Sequence, residues 1–193
     1  ACEFKRTVLV DDFDDPINHK VGDKPLELHK KYGVEIHSRN IIKKGIKDID
    51  GGFDIITTFD SMEHWHDSPK KLFHEVTARL NKDGIFIIGV PNCVNLKKRI
   101  TLPMGFGKWS KMEDWYEEEK FRGHVREPDV ADLLYIAKDL ELSDVKIYGR
   151  NWLGYQGGSS NSALIKNLTK IFDPLLKTVP SLCSDIYMVG KKN

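Results

Sequence analysis

The chain has 193 residues, 40% of them hydrophobic, and its 30 basic and 29 acidic side chains leave a net charge of +1. That length is enough for one domain with a real core. So even a mix of charges lacks the basic footprint of a nucleic-acid binder, and no apolar run approaches the roughly 20 residues that cross a membrane.

Ala1–Arg6 holds Glu3, Lys5 and Arg6 and lacks the apolar core of a signal peptide. Thr7–Val10 reads as a short strand ending in Asp11-Asp12, with Asp14, Asp15 and Pro16 continuing an acidic turn. Asp23–Tyr32 is a predicted helix stopped by Gly33, and Val34–His37 alternates like a half-exposed strand. Residues 38–52 are read as a connection. Phe53–Phe59 is short and β-branched after Gly51-Gly52, as a buried parallel strand should be. Ser68-Pro69 predicts a helix start, with Leu72, Phe73, Val76 and Leu80 at helical spacing. Gly84 stops that helix, and Ile85–Val90 is the next strand.

The run Lys97-Lys98-Arg99 is read as a solvated helix end. Residues 93–123 contain Pro103, Gly105, Gly107, Trp109 and Trp115. A stretch this long and aromatic is either a lid or substrate wall, or an inserted helix pair packed on the core. Pro128–Leu140 is an amphipathic helix, and Val145–Tyr148 a strand. Residues 154–162 are a Gly/Ser-rich loop, followed by a helix from Ala163 to about Phe172, a further turn at Pro174–Lys177, and a last strand, Asp185–Val189. The three cysteines, Cys2, Cys93 and Cys183, are far apart and form no CxxC, which fits free thiols in a reducing cytoplasm.

The order strand–FDSMEH–helix–LNKDG–strand–VPN, with Gly123-His124-Val125-Arg126 further on, resembles the class I S-adenosylmethionine-dependent methyltransferases of small-molecule and glycan-modifying type. The resemblance runs from about Thr7 to the end of the chain. It implies a single α/β domain over 1–193, with a lid or substrate wall at about 93–126. It also implies a mostly parallel Rossmann-like sheet with an antiparallel C-terminal strand, and helices on both faces. Phe53–Phe59 and Ile85–Val90 take the places of that family's fourth and fifth strands, and Thr7–Val10 its second.

The family's first strand and its GxGxG loop have no counterpart in the sequence. In the family order 3-2-1-4-5-7-6 the first strand is central, and without it buried ladder groups lose partners at about 1–3 kcal/mol each. Either the sequence is a piece of a longer chain, or strands two and four pair directly, or a partner supplies the strand. An alternative alignment takes Thr7–Val10 as strand one, but leaves too little chain before Phe53 for strands two and three.

The resemblance implies S-adenosyl-L-methionine as cofactor and assigns the site residues. Asp11, with Asp12 beside it, accepts hydrogen bonds from the ribose hydroxyls, a task suited to a group that only accepts; the other reading of these residues is a turn-forming acidic cluster. Asn40 falls near the adenine or is ordinary loop polarity. Phe59 and Asp60 face the cofactor, and Met62 packs on the adenine or enters the core. Glu63 and His64 lie beside the active site. His64 is a candidate general base, since imidazole is the side chain suited to proton removal near neutral pH, or else a positioning residue. His124 and Arg126 reach the site from the insertion, Arg126 toward an anionic substrate group or in an ion pair with Glu127. Trp109 and Trp115 line the substrate side. No metal is expected, because Glu63-His64-Trp65-His66 lacks the HExxH spacing that puts two imidazoles on one helical face. The acceptor is a small molecule, a sugar or a lipid-linked species. The competing expectation is a methyltransferase-like interaction domain without catalysis, motivated by the absent glycine loop. A nicotinamide-dependent dehydrogenase would need GxGxxG, also absent.

Overall fold

In the computed structural model the described residues are 4–13, 24–106, 112–117, 119–151 and 163–193. The expected acidic turn at 14–16, the cap Asp23, Trp109 and the loop 154–162 lie outside them. The chain divides into two compact units, Ala1–Ile49 and Asp50–Asn193, each described by itself.

In the first unit, β1 (Val8–Asp11) pairs in parallel with β2 (Glu35–Ser38), Val8 opposite Glu35 and Asp11 opposite Ser38. Both strands sit one residue later than the hydrophobic alternation suggested, because the ladder continues until Arg39 N–H reaches Asp11 O at 2.8 Å. Between them runs α1 (Lys24–Lys31). It is followed by Gly33 at φ +75°, a conformation that costs glycine little. The stretch 38–52 is more than a connection. It holds α2 (Ile41–Lys44), whose first turn is capped by Asn40 and whose end is Gly45. Ion pairs Arg6–Glu35, His37–Glu35 and Arg39–Asp48 fasten β2 to its surroundings.

The second unit is built on a four-stranded sheet in the order β3-β4-β6-β5: Phe53–Phe59, Leu80–Pro91, Asp185–Lys191 and Ser143–Arg150. β3 and β4 are parallel, and β6 is antiparallel to both β4 and β5. The two sheets thus carry the implied order in two pieces, 3-2 and 4-5-7-6. Among the described residues β1 ladders with β2 in the first unit and β3 with β4 in the second. β3 is correspondingly less buried than its composition suggests, with Ile55 42% and Phe59 47% exposed.

The core lies where β4 and β6 meet two helices, α3 (Lys70–Arg79) and α6 (Val130–Asp139). Phe86, Ile88, Val90, Ile186 and Met188 are buried in the sheet, as are Leu72, Phe73, Val76, Leu133 and Ala137 on the helices. Burying a side chain of this size fully is worth about 1.5–3 kcal/mol. Phe73 meets Phe86 edge-on at 5.5 Å. Lys70 and His74 of α3 both bind Asp139 at the end of α6, at 2.5 and 2.9 Å.

Ser68 Oγ accepts from Lys70 N–H at 3.3 Å, but α3 starts one residue later than predicted, with Pro69 rather than Ser68 at its N-cap and no side chain capping it. Leu80 is buried as expected, but as the first residue of β4. α6 is capped by Asp129 and Asp132 in a reciprocal capping box and begins at Val130, two residues after the predicted Pro128. Between β4 and α6 lie two short helices, α4 (Leu96–Thr101) and α5 (Met112–Tyr116). α7 (Ala163–Leu176) runs on through Pro174 as one helix, where a break was expected. No described helix is long and apolar enough to cross a membrane.

Candidate functional site

The site grows from the end of β3. Phe59 closes the strand, and Asp60 turns the chain at φ +46°, a left-handed conformation uncommon for a residue with a side chain. Its N–H still reaches Gly89 O on β4, at 3.0 Å, so the turn is pinned to the sheet. Met62–His64 then form a single 3-10 turn. Gly89 is required here: a Cβ would stand 2.5 Å from the Tyr187 ring and 2.7 Å from that of Phe59. Those two rings pack edge-on at 5.8 Å.

The turn is held from sixty residues away. Glu63 O accepts from Val125 N–H at 2.7 Å and Arg126 N–H at 3.2 Å. His64 Nδ1 lies 2.8 Å from Arg122 O, and His66 Nε2 3.4 Å from Phe121 O. A carbonyl only accepts, so His64 donates from Nδ1, and its neutral form keeps the lone pair on Nε2. The 121–126 segment therefore lies against the strand-end turn and brings His124 to His64, ring centroids 4.8 Å apart.

Glu63 sits beneath them, fully buried, with no hydrogen-bond partner on either carboxylate oxygen. A buried carboxyl without donors is costly to ionise, and burial pushes Glu63 up to about 7. His64 Nε2 is 3.9 Å from Glu63 Oε1. His124 Nδ1 is 2.6 Å from Glu127 Oε1, a hydrogen bond that pushes the imidazole above its ordinary value. Burial works to raise Glu127, but hydrogen bonds from His124 and Lys98 outweigh it and hold the carboxyl low. One ligand atom from each of Glu63, His64 and His124 lies within 4.8 Å of the others.

The three expected catalytic residues are thus brought together. Glu127 and Lys98, which orient His124, were not foreseen in that role. Lys98 belongs to the run read as solvated, yet it is only 20% exposed and binds Glu127. Its neighbour Arg99 donates to Val94 O and Ser181 O. Glu127 was foreseen as a partner for Arg126, which instead projects into solvent 3.6 Å from Asp132 Oδ1. The charged residue three positions after His124 was the signal available for Glu127.

Among the cofactor candidates of the second unit, Phe59 and Asp60 are exposed at the strand end and Met62 is half-buried. In the first unit, Asp11 is exposed at the end of β1, and its Oδ1 accepts from Phe13 N–H at 2.8 Å. Asp12 beside it is half-buried. Asn40 Oδ1 is engaged with Lys43 N–H at 3.0 Å, so at least one of its functions is to cap α2. Trp115 on α5 is 57% exposed, which a residue packed on the core would not be.

No family model matches the sequence, and comparison with curated proteins finds no match. Solved structures do match. A methyltransferase of Archaeoglobus fulgidus described as SAM-dependent aligns over 97% of this chain and 86% of its own, at 16% identity and a TM-score of 0.52. A SAM-dependent methyltransferase of Thermotoga maritima, described as a possible histamine N-methyltransferase, aligns over 97% and 73%, at 13% identity and a TM-score of 0.58. An O-methyltransferase family protein of Burkholderia thailandensis gives 12% identity and a TM-score of 0.53, and this chain spans only 44% of it. Likeness at such identities speaks for architecture, and the architecture is that of the class I SAM-dependent methyltransferases.

Proposed function

We propose that the chain binds S-adenosyl-L-methionine and transfers its methyl group to a small-molecule, sugar or lipid-linked acceptor. The observation that carries this reading is the convergence of Glu63, His64 and His124 at the turn after β3. In parallel α/β sheets ligands bind outside the carboxyl ends of the strands.

Asp11, with Asp12 beside it, offers carboxylate oxygens to the ribose hydroxyls from the end of β1. Asn40 serves the adenine with the part of its amide that the cap leaves over. Phe59, Asp60 and Met62 face the cofactor from the end of β3. His64 Nε2 accepts the proton of an acceptor hydroxyl or amine as the methyl group is transferred in line, and His124 and Glu63 set the charge around it. Arg126, Trp109 and Trp115 serve acceptor binding.

A second reading, a methyltransferase-like domain that binds a partner, is favoured by the exposed apolar side chains Ile100, Leu102, Met104 and Phe106. Calorimetric titration with S-adenosylhomocysteine separates the two. Saturable binding that weakens at least tenfold in Asp11→Ala supports the enzyme; no binding supports the partner-binding domain.

A further inference from the structure

We infer that Glu63, His64 and His124 form a binding site for a divalent first-row transition cation, with one carboxylate and two imidazole ligands and the remaining positions open. Several independent observations meet at this point. The Glu63 carboxylate is fully buried, and neither oxygen has a hydrogen-bond partner, which is rare for a native side chain. Each imidazole has one nitrogen committed to an acceptor: His64 Nδ1 to the Arg122 carbonyl, His124 Nδ1 to the Glu127 carboxylate. Such outer hydrogen bonds fix the tautomer and leave the second nitrogen as ligand. One candidate ligand atom from each of the three residues lies within 4.8 Å of the others. Ligands about 2.0–2.2 Å from a shared ion would stand closer than that, within reach of small side-chain rotations.

The donor set selects the ion class. Two nitrogens and one oxygen suit zinc, iron, cobalt or manganese, and the carboxylate with two histidines leaves exchangeable positions. Magnesium and calcium prefer oxygen throughout. A bound cation would supply the positive charge that the buried carboxylate lacks. It would also take Nε2 of His64 as a ligand, so that this nitrogen no longer serves as the proton acceptor, and an acceptor hydroxyl coordinated to the ion would then be acidic enough to release its proton to water. That last step rests on the methyl-transfer reading; the site itself does not.

The test uses the full chain after treatment with a chelator, titrated with Zn²⁺ alone against a chromogenic competitor and with Co²⁺ alone by visible absorption. One equivalent is expected to saturate, and Mg²⁺ is expected to bind far more weakly. Glu63→Gln and His124→Asn, each checked for folding by circular dichroism, are expected to lower Zn²⁺ affinity at least tenfold. Absence of saturable binding, or undiminished binding in both folded variants, overturns the assignment. A readout without substitutions is modification of His64 and His124 by diethyl pyrocarbonate, followed by peptide mass. Zn²⁺ is expected to slow both reactions, and unchanged rates overturn the site. Titration of the same metal-free protein with S-adenosylhomocysteine reports on the methyl-transfer reading separately.

Discussion

His124 is held by Glu127 through a 2.6 Å hydrogen bond from Nδ1, and the carboxylate that orients it is itself almost fully buried. Lys98 closes the pair from the other side. Removing one member of a buried ion pair leaves the others unpaired, at about 3–5 kcal/mol. Glu127→Ala is therefore expected to cost about 3 kcal/mol, the lower end because Lys98 and His124 keep some contact with water. Urea unfolding measures it. A loss below about 1 kcal/mol would show that the pair contributes little.

Asp139 ties α3 to α6, and its acid behaviour has a definite sign. The hydrogen bond from Lys70 holds its carboxyl below the ordinary 3.8, with His74 adding to the effect. Between the folded and unfolded values the unfolded chain binds more protons, so stability rises with pH there. The contribution is complete about one unit above the unfolded value and is lost as the pH falls through that value and the lowered one. Asp139→Asn is expected to flatten this part of the stability profile, and the alkaline limb as well, because Asp139 is what raises Lys70. Urea midpoints between pH 2.5 and 6 are the measurement, and parallel profiles for the two proteins would contradict it.

Asn40 can be separated into its two tasks. Asn40→Ala is expected to cost about 1 kcal/mol through loss of the cap. Serine caps about as well as asparagine, so Asn40→Ser is expected to keep the melting temperature while removing the amide. If Asn40 also contacts the adenine, only the serine variant isolates that loss, as weaker S-adenosylhomocysteine binding at unchanged stability.

Gly89→Ala is expected to destabilise by about 1–3 kcal/mol, because its methyl group would collide with two rings already packed against each other. Truncating Tyr187 to alanine in the same chain is expected to recover part of that loss. A fully additive double variant would mean the collision is relieved elsewhere.

Trp115→Ala tests the substrate wall. The side chain is more than half exposed, so the change in stability is expected to stay within about 0.5 kcal/mol. Loss of acceptor turnover without loss of cofactor binding is the expected outcome. Unchanged turnover would remove Trp115 from the site.

The sequence made β3 legible to the residue, since Gly51-Gly52 and Asp60 bracket a run that alternates poorly and is rich in β-branched side chains. It misjudged how deeply that strand is buried, because burial depends on the neighbours a strand finds. Helix ends were blurred where the signal was a side-chain hydrogen bond: Asp129 with Asp132, and Asn40 with Lys43. Pro174 misled for the opposite reason, since a local rule about proline was overridden by the helix around it. Glu63, His64 and His124 were each legible as site candidates, but the spacing within residues 63–66 shows nothing of where His124 lies. The second imidazole arrives through hydrogen bonds between Glu63 and residues 125–126, and no local pattern announces a contact of that range.

Cys183 has no exposed surface, and burial pushes its thiol up, so little reactive thiolate forms near neutral pH. Its neighbours are Gly149, where even a methyl group would strike the sulfur, and Asn151, whose amide lies 3.5 Å away. An alkylating reagent can meet this sulfur only when its cover opens, at Gly149 of β5, at Asn151 or at the end of α7, whose Leu176 carbonyl lies 3.5 Å from it. The rate at which Cys183 is labelled, read peptide by peptide beside the half-buried Cys93, thus provides the molecule with a clock for how often this corner of the core opens.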